Sequence, residues 1–325
     1  MRERFNIINP IAGEGKVALA EKIASQVGGE IYYTKDADDI ERFVLSQLEK
    51  NPESHFVIYG GDGSLNDCVN GIMKSGHNKT AAVTAFSLGS GNDFLYYMNN
   101  EYLKNNESEE IMLDVNEADG RFSVNVLNTG FDCTVVSETM KFRNKHHLFG
   151  GRLSYTIGVL TTLFKKETFN SRIELTYADG DKECFEGDWL LALSANCPYY
   201  GGGYKAAPLA RPDDGLMDVV MVRDVSRLKL ISVLLSYKSG AHIIKETATD
   251  KGVDVVGKFS NFMTYRRCVS MKMNTAGELC YDGEIHKSAE TEVKVRRMAV
   301  RYIPLGVVRS KISNKTCAGK TVGAV

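Results

Sequence analysis

Long apolar runs are missing from this sequence of 325 residues. The most apolar stretch, LKLISVLLSY at 228–237, contains a lysine and is much shorter than the ~18 residues of a membrane-spanning helix. The start of the chain, MRERFNIINP, lacks the apolar segment of a signal peptide. These absences predict no transmembrane segment and a cytoplasmic protein.

Paired cysteines and an excess of one charge are also missing. The seven cysteines are scattered without a Cys-x-x-Cys pair, which favours reduced, buried thiols over a disulfide framework or a zinc site. Forty basic and 41 acidic residues give a net charge of -1. A strong overall positive field is therefore excluded, and we expect no nucleic-acid partner.

Alternating strand and helix patterns occupy the first part of the chain. Strand patterns lie at 5–8, 30–34, 55–59 and 81–86, and helical patterns lie between them at 16–27, 38–50 and 65–76. This order predicts an α/β domain with a doubly wound, mostly parallel sheet. Ligands of such sheets bind at the carboxyl ends of the strands.

The rest of the chain changes character near residues 125–130. Two helical stretches are followed by strand patterns with tight turns, including a hairpin at 172–185 with Asp179-Gly180 at its turn. Mostly antiparallel strands of this kind predict a β-sandwich. We expect a first domain at 1–127, a β-rich domain at 128–297, and a return of 298–325 to the first domain.

The stretch FVIYGGDGSLN at 56–66 joins a strand to a helix through three glycines and one carboxylate. Backbone N–H groups and the positive end of a helix dipole converge at such a turn, and glycines let a phosphate approach closely. Asp62 would repel a phosphate unless Mg²⁺ lay between them. The alternative is a tight strand–helix turn with an acidic tip.

Two further glycine-bearing loops follow strands of the same predicted sheet. They are NPIAGEGK at 9–16, which lacks Walker A spacing, and LGSGNDF at 88–94. One loop of this kind is weak support for a nucleotide site. Three in order along one sheet edge predict a cleft for a nucleoside triphosphate.

These motifs resemble the diacylglycerol kinase catalytic-domain superfamily, which includes bacterial soluble lipid kinases and sphingosine kinases. NPIAG, GGDGSLN and GSGNDF are similar to its signature in the first domain. GGGYKAAPLARPDDGLMDVV at 201–220 and CYDGEIH at 280–286 are similar to its later elements. The resemblance spans roughly residues 5–305 and implies an NAD-kinase- or phosphofructokinase-like first domain. Serine stands at 64 and 90, where threonine is usual.

The resemblance implies ATP and Mg²⁺ as cofactors and assigns residues to them. The implied ATP contacts are Asn9, Pro10, Ile11, Ala12, Gly13, Thr34, Gly60, Gly61, Asp62, Gly63, Ser64, Leu65, Asn66 and Ser90. A structural Mg²⁺ is implied at Arg211, Asp214 and Leu216, where a surface turn is the alternative. Asp62 would hold the catalytic Mg²⁺ through water.

The YDGE element offers two carboxylates on either side of Gly283. The resemblance implies Glu284 as the base that accepts the proton of the acceptor hydroxyl, with Asp282 orienting it or binding metal. By residue type alone the two roles are interchangeable, and an ordinary Asp-Gly hairpin turn is the alternative. Gly283 is expected to let both carboxylates point into a cleft between the domains.

A lipid substrate requires an apolar approach to the site. Residues 142–166 combine apolar side chains with interleaved basic ones, as in a segment that contacts an anionic membrane or lines an acyl-chain pocket. An ordinary helix packed on the β domain is an equal alternative. We expect a lipid partner at the membrane surface and peripheral association, and a homodimer is left open.

The prediction from the whole sequence is an ATP- and Mg²⁺-dependent lipid kinase, with diacylglycerol as its expected substrate. One alternative is a kinase of the NAD kinase type, which shares the GGDG turn but is disfavoured by YDGE and GSGNDF. Another is a non-catalytic lipid- or nucleotide-binding regulator. Intact Asp62, Asp282 and Glu284 argue against the regulator.

Overall fold

The computed structural model describes residues 2–11, 16–36, 38–88, 92–104, 106, 108–145, 151–249, 252–274, 277–288 and 290–308. Within this part of the chain two units are distinguished. Unit 1 contains residues up to 113 and those from 298 onward, and unit 2 contains residues 114–297. The division falls inside two strands, β5 and β17 below.

Unit 1 alternates strands with helices. Its elements are β1 Arg4–Ile8, α1 Val17–Val27, β2 Glu30–Tyr33, α2 Asp39–Leu48, β3 His55–Gly60, α3 Asp62–Ser75, β4 Ala82–Ser87 and α4 Asp93–Tyr97, followed by a π-helical turn Met98–Tyr102 and the start of β5 Ile111–Ala118. The strands are parallel in the order β2-β1-β3-β4. Arg301 and Tyr302, at the end of β17, add parallel to β4.

Burial explains why β3 lies in the middle of this sheet. All six of its residues are buried, as expected for a parallel strand that is covered by helices on both faces. Chain order reverses around β1, since β2 lies on one side of it and β3 on the other. Such a reversal is the usual ligand site of a doubly wound sheet.

The helix after β3 begins earlier than the sequence predicted. The apolar pattern put its start at residue 65, whereas α3 begins at Asp62. Gly63 has low helix propensity, and the first turn contains no apolar pattern, so the sequence did not predict it as helical. Asp62, Gly63 and Ser64 therefore belong to the helix itself, where backbone N–H groups have no partner within the helix.

Unit 2 is mainly β-structure. Its elements after β5 are β6 Arg121–Ser123, β7 Val126–Gly130, α5 Phe131–Lys145, α6 Gly151–Lys165, β8 Phe169–Thr176, β9 Lys182–Ala195, β10 Met217–Arg223, α7 Arg227–Tyr237, β11 Ile243–Thr249, β12 Gly252–Gly257, β13 Met263–Cys268, β14 Ser270–Met273, β15 Gly277–Tyr281, β16 Glu284–Ser288 and β17 Thr291–Tyr302. Its strand pairs β10–β13, β9–β10, β11–β12, β14–β17, β8–β14, β15–β16, β7–β15, β5–β6, β7–β9 and β8–β9 are antiparallel.

Two strands show how the layers of unit 2 are built. The first half of β9 pairs with β8, and its second half lies between β7 and β10. Along β10 the side chains alternate between two cores: Val220 and Val222 belong to one, and Met217, Val219 and Met221 to the other. Helices α5 and α7 contribute to the first core, and strands β8, β14 and β15 to the second.

Among the described helices, none combines the length and apolar character needed to cross a membrane.

Candidate nucleotide and acceptor site

The loops after β1 and β3 meet where the strand order of unit 1 reverses. Asn9 continues the pairing beyond β1, since its N–H donates to the carbonyl of Tyr59 at 3.1 Å. Its side-chain Nδ2 donates to Ser64 Oγ, in the first turn of α3, at 3.1 Å. The structure thus brings together two of the predicted phosphate loops through a direct contact between side chains.

Gly60 and Leu88 bring the third strand end to the same edge. The Leu88 N–H donates to the carbonyl of Gly60 at 2.9 Å. A Cβ at Gly60 would lie 2.6 Å from Ser64 Oγ, so only glycine fits between β3 and α3. A Cβ at Gly63 would meet no atom within 4 Å. The backbone of this first helical turn therefore borders open space, as an incoming phosphate requires.

Asp62 lies in the first turn of α3, and a hydrogen bond from the start of α4 positions it. Its Oδ2 accepts a hydrogen bond from the Phe94 N–H at 3.0 Å, which ties it to the start of α4. The buried Tyr302 packs edge-on against the Phe94 ring, and burial together with the charge of Asp62 raises the pKa of Tyr302. A carboxylate held in this way can accept hydrogen bonds from the water molecules that coordinate a magnesium ion.

The other predicted nucleotide contacts differ in what they can offer. Thr34 is tied to the end of β1, since its N–H donates to the carbonyl of Ile8 at 3.0 Å. Pro10 and Ile11 are exposed, whereas Leu65 is fully buried and presents only its backbone to a ligand. Asn66 is also buried. Ala12, Gly13 and Ser90 lie outside the described residues, and all these nucleotide contacts stay predictions.

Lys16 is a basic residue at this edge that the sequence reasoning did not assign. It precedes α1, and its Nζ donates to the carbonyl of Leu88 at 3.4 Å. A lysine that joins the β1 and β4 loops places a positive charge beside the helical turn of Asp62. The signal was present in the sequence, as the last residue of NPIAGEGK.

Asp282 in unit 2 is a partly buried carboxylate surrounded by donors. Ser123 Oγ donates to it at 3.0 Å, and the N–H groups of Val124 and Val126 donate at 2.8 Å each. A fourth donor is the Asn125 N–H at 3.2 Å. Burial raises the pKa of Asp282 to about 6, and these hydrogen bonds oppose the rise.

Glu284 has a different environment, although only Gly283 separates it from Asp282. Asp282 and Gly283 form the turn between β15 and β16, both with positive φ, and Tyr281 pairs with Glu284 across it. The Glu284 side chain is 47% exposed, with His286 Nε2 3.9 Å from its carboxylate. Backbone N–H groups hold the Asp282 carboxylate within unit 2, whereas the Glu284 carboxylate is about half exposed. Their catalytic roles stay predictions.

Asp132 is an ionisable group that the sequence reasoning missed. It lies in the first turn of α5, directly after β7, and accepts a hydrogen bond from the Tyr200 hydroxyl at 2.7 Å. Burial raises its pKa to about 6, and the Tyr200 bond opposes the rise. A buried carboxyl that titrates near neutrality is typical of functional sites. The available signal was the Gly-Phe-Asp junction between a strand and a helix.

The predicted structural Mg²⁺ competes with an arginine. Asp214 Oδ1 accepts the Leu216 N–H at 3.0 Å, and its Oδ2 is bonded by Arg267. Arg267 also donates to the buried Asp218 at 3.3 Å. Within the described residues, no group of three or more His, Cys, Asp or Glu side chains is arranged to hold a metal. Arg267 supplies positive charge to Asp214 in this structure, and the assignment of Mg²⁺ to Arg211, Asp214 and Leu216 stays a prediction.

Two family models match successive parts of the chain. The diacylglycerol kinase catalytic domain matches residues 5–119, and the YegS C-terminal NAD kinase beta sandwich-like domain matches residues 125–301. The second match alone covers more than half of the chain. The chain therefore belongs to the family of the YegS C-terminal NAD kinase beta sandwich-like domain, and its first part matches the diacylglycerol kinase catalytic domain. The resemblance and the fold class predicted from the sequence are thereby confirmed.

Individual relatives agree with this assignment. A diacylglycerol kinase of Staphylococcus carnosus is 27% identical over 298 residues, or 88% of this chain and 91% of the relative. A diacylglycerol kinase of Mycobacterium tuberculosis is 25% identical over 274 residues, or 77% and 82%. A crystal structure of a diacylglycerol kinase from Bacillus anthracis has a TM-score of 0.64 at 18% identity, covers 93% of this chain and 96% of its own, and shows likeness of fold.

Proposed function

We propose that this protein is an ATP- and Mg²⁺-dependent lipid kinase that transfers the γ-phosphate of ATP to a hydroxyl of diacylglycerol, giving phosphatidic acid. The observation that carries the proposal is the joining of the β1 and β3 loops by Asn9 and Ser64, beside Asp62. Relatives named diacylglycerol kinase support the choice of substrate.

Unit 1 holds the nucleotide in this proposal. Backbone N–H groups at the start of α3 and the Lys16 ammonium bind phosphate oxygens, and the absence of side chains at Gly60 and Gly63 leaves them room. A Mg²⁺ ion bound with ATP would spread the charge that develops on the transferred phosphoryl group. Asp62 would hold that ion, and the Phe94 N–H fixes the Asp62 carboxylate.

Unit 2 supplies the base. Glu284 accepts the proton of the lipid hydroxyl as the oxygen attacks phosphorus, and its exposed carboxylate leaves it accessible to a substrate. Asp282 acts as a positioning residue in this scheme. By binding the N–H groups of residues 124–126, its carboxylate fixes the turn from which Glu284 projects.

The test is transfer of radiolabelled phosphate from ATP to a panel of lipids, with and without Mg²⁺. Diacylglycerol is expected to be labelled only when Mg²⁺ is present. NAD is included in the panel, and labelling of NAD instead of any lipid would contradict the proposal. No labelling of any acceptor would favour a non-catalytic regulator.

Matched variants separate the assigned roles from general damage. Asp62→Asn is compared with Asp67→Asn, which changes an acidic residue further along the same helix. Glu284→Gln is compared with Glu278→Gln in the neighbouring strand of the same hairpin. Each site variant is expected to lower kcat by about 10²–10⁴-fold, as for loss of a base or of charge stabilisation. Equal effects of site and control variants would refute the assignments.

A further inference from the structure

Helices α6 and α7 of unit 2 expose apolar side chains that are not accounted for by the core. On α7, Leu230, Val233 and Tyr237 are buried, yet Leu228, Leu235 and Ile231 are 79%, 70% and 36% exposed. The helix is therefore apolar on its solvent side as well as on its core side. On α6, Phe164 and Leu160 are 76% and 49% exposed. These five exposed residues form what we name the α6–α7 surface: Leu160, Phe164, Leu228, Ile231 and Leu235.

Direct contacts place the end of α6 beside the start of α7. The Arg227 guanidinium donates to the carbonyl of Leu163 at 3.1 Å and to that of Phe164 at 2.7 Å. Lys166, directly after α6, pairs at 2.6 Å with Asp224, three residues before the start of α7. Phe164 and Leu228 thus project from the same junction. Arg227 also satisfies carbonyl groups at the carboxyl end of α6, which fixes this junction.

The charged groups around these apolar residues are mainly basic, and the two acids near them, Asp224 and Glu138, are paired with Lys166 and Lys165. Neither α6 nor α7 contains an aspartate or a glutamate, although the whole chain has 41 of them. Arg227 donates to backbone carbonyls, and Lys229 lies over the Phe262 ring at 5.5 Å. Within the described part of the chain, no carboxylate partner neutralises Arg227, Lys229 or the exposed Lys238. A basic rim around apolar side chains complements an anionic, apolar partner.

We infer that the α6–α7 surface docks on the surface of an anionic lipid bilayer, and that it does so to bring unit 2 to its membrane substrate. This inference rests on the proposed lipid kinase function for its purpose. Apolar side chains of such a surface enter the boundary between headgroups and acyl chains, and basic residues bind the anionic headgroups.

The size of the surface favours a bilayer over a second copy of the chain. Five exposed residues are few beside the roughly 20–30 residues that each partner of a stable protein interface contributes. A stable dimer buries roughly 800 Å² on each partner with few charges at its centre. Insertion of a few side chains into lipid needs no matching protein surface.

The test is sedimentation of the full-length protein with vesicles that contain no diacylglycerol, in the absence of ATP. Vesicles of phosphatidylcholine alone are compared with vesicles that also contain phosphatidylserine. The wild-type protein is expected to bind the anionic vesicles more tightly. Leu228→Ser with Leu235→Ser is expected to lower the partition coefficient by at least about tenfold. Lys229→Gln with Lys238→Gln is expected to remove most of the preference for anionic vesicles, about 10–30-fold.

Controls keep this result specific to the surface. Leu19→Ser changes a half-exposed leucine of α1 in unit 1 and is expected to leave vesicle binding unchanged. Phe164→Ser is a second, independent change of the surface and is expected to weaken binding. Unchanged binding by both the Leu228→Ser/Leu235→Ser protein and Phe164→Ser would overturn the inference. The inference would also be overturned if the wild-type protein were a dimer in solution and the Leu228→Ser/Leu235→Ser protein a monomer.

Turnover of a short-chain, water-soluble diacylglycerol distinguishes this inference from the proposed function. Turnover without vesicle binding would overturn the docking surface and leave the kinase proposal standing. Vesicle binding that depends on Leu228 and Leu235, without turnover of any lipid, would support the surface and contradict the kinase proposal. In the expected case both are present, and the leucine variants turn over the soluble substrate normally.

Discussion

Replacing Asp282 by alanine tests whether this residue is structural or takes part directly in catalysis. The change removes a partly buried carboxylate of unit 2 that accepts hydrogen bonds from four donors. Hydrogen bonds to a charged group contribute about 1.5–3 kcal/mol each. The two bonds of 2.8 Å, from Val124 and Val126, therefore predict that Asp282→Ala lowers the free energy of unfolding of unit 2 by about 3–6 kcal/mol.

Tryptophan fluorescence can measure this loss in unit 2 alone. The chain has one tryptophan, Trp189, which is fully buried in β9 and donates to the carbonyl of Ser171 at 3.0 Å. Its emission during urea denaturation follows the unfolding of unit 2, whatever the state of unit 1. Glu284→Gln is the matched control, because its side chain is about half exposed. It is expected to shift the free energy of unfolding by less than about 0.5 kcal/mol while abolishing most turnover.

A change of less than about 1 kcal/mol in Asp282→Ala would refute the reasoning from its hydrogen bonds. If such a stable variant also lost all turnover, Asp282 would act directly on the substrate or its metal. Loss of stability with turnover that recovers at low temperature would support its role in positioning the turn at Glu284.

Three further predictions concern other residues. Burial raises the pKa of Asp132 to about 6 from 3.8, so its contribution to stability is present below pH 4 and is lost as the pH rises to 6. Between pH 4 and pH 7, the free energy of unfolding of Asp132→Asn should therefore rise by about 3 kcal/mol relative to that of the wild type, as measured by Trp189 fluorescence. Stability curves that run parallel over this pH range would contradict this. Arg267→Gln leaves the buried Asp218 without its counter-charge. It should lower the free energy of unfolding, followed by Trp189 fluorescence, by about 3–5 kcal/mol. The wild-type midpoint should be the same in Mg²⁺ and in EDTA, and a fall in EDTA would favour a structural metal instead. Gly60→Ala should raise KM for ATP about tenfold or more, because the new methyl collides with Ser64, whereas Gly306→Ala, whose methyl meets no atom, should not.

Local patterns were sufficient for the order of elements in unit 1. Buried strands such as β3 and glycine-ended helices such as α3 produce short-range signals, namely apolar runs and Gly76 at a positive φ. The first turn of α3 was missed because Gly63 and Asp62 carry no apolar periodicity. The phosphate loops were found because glycine and short polar residues after a strand have few other uses.

The roles of the two carboxylates at 282 and 284 required tertiary structure. In sequence they are alike and separated by one glycine, so no local rule distinguishes them. Their environments differ because residues 124–126, more than 150 positions away, direct backbone N–H groups at Asp282, whereas the Glu284 side chain is about half exposed. Asp132 was missed for the same reason, since its partner Tyr200 is 68 positions away.

The sequence by itself determined that an α/β unit precedes a β-rich one and which loops follow its parallel strands, because these follow from periodicity and turn chemistry over a few residues. Only the tertiary structure decided that Asn9 reaches Ser64, that Arg267 supplies the positive charge at Asp214, and that one face of α7 remains apolar and exposed. Burial and pairing depend on residues brought together from distant parts of the chain, and such contacts leave no local pattern in the sequence.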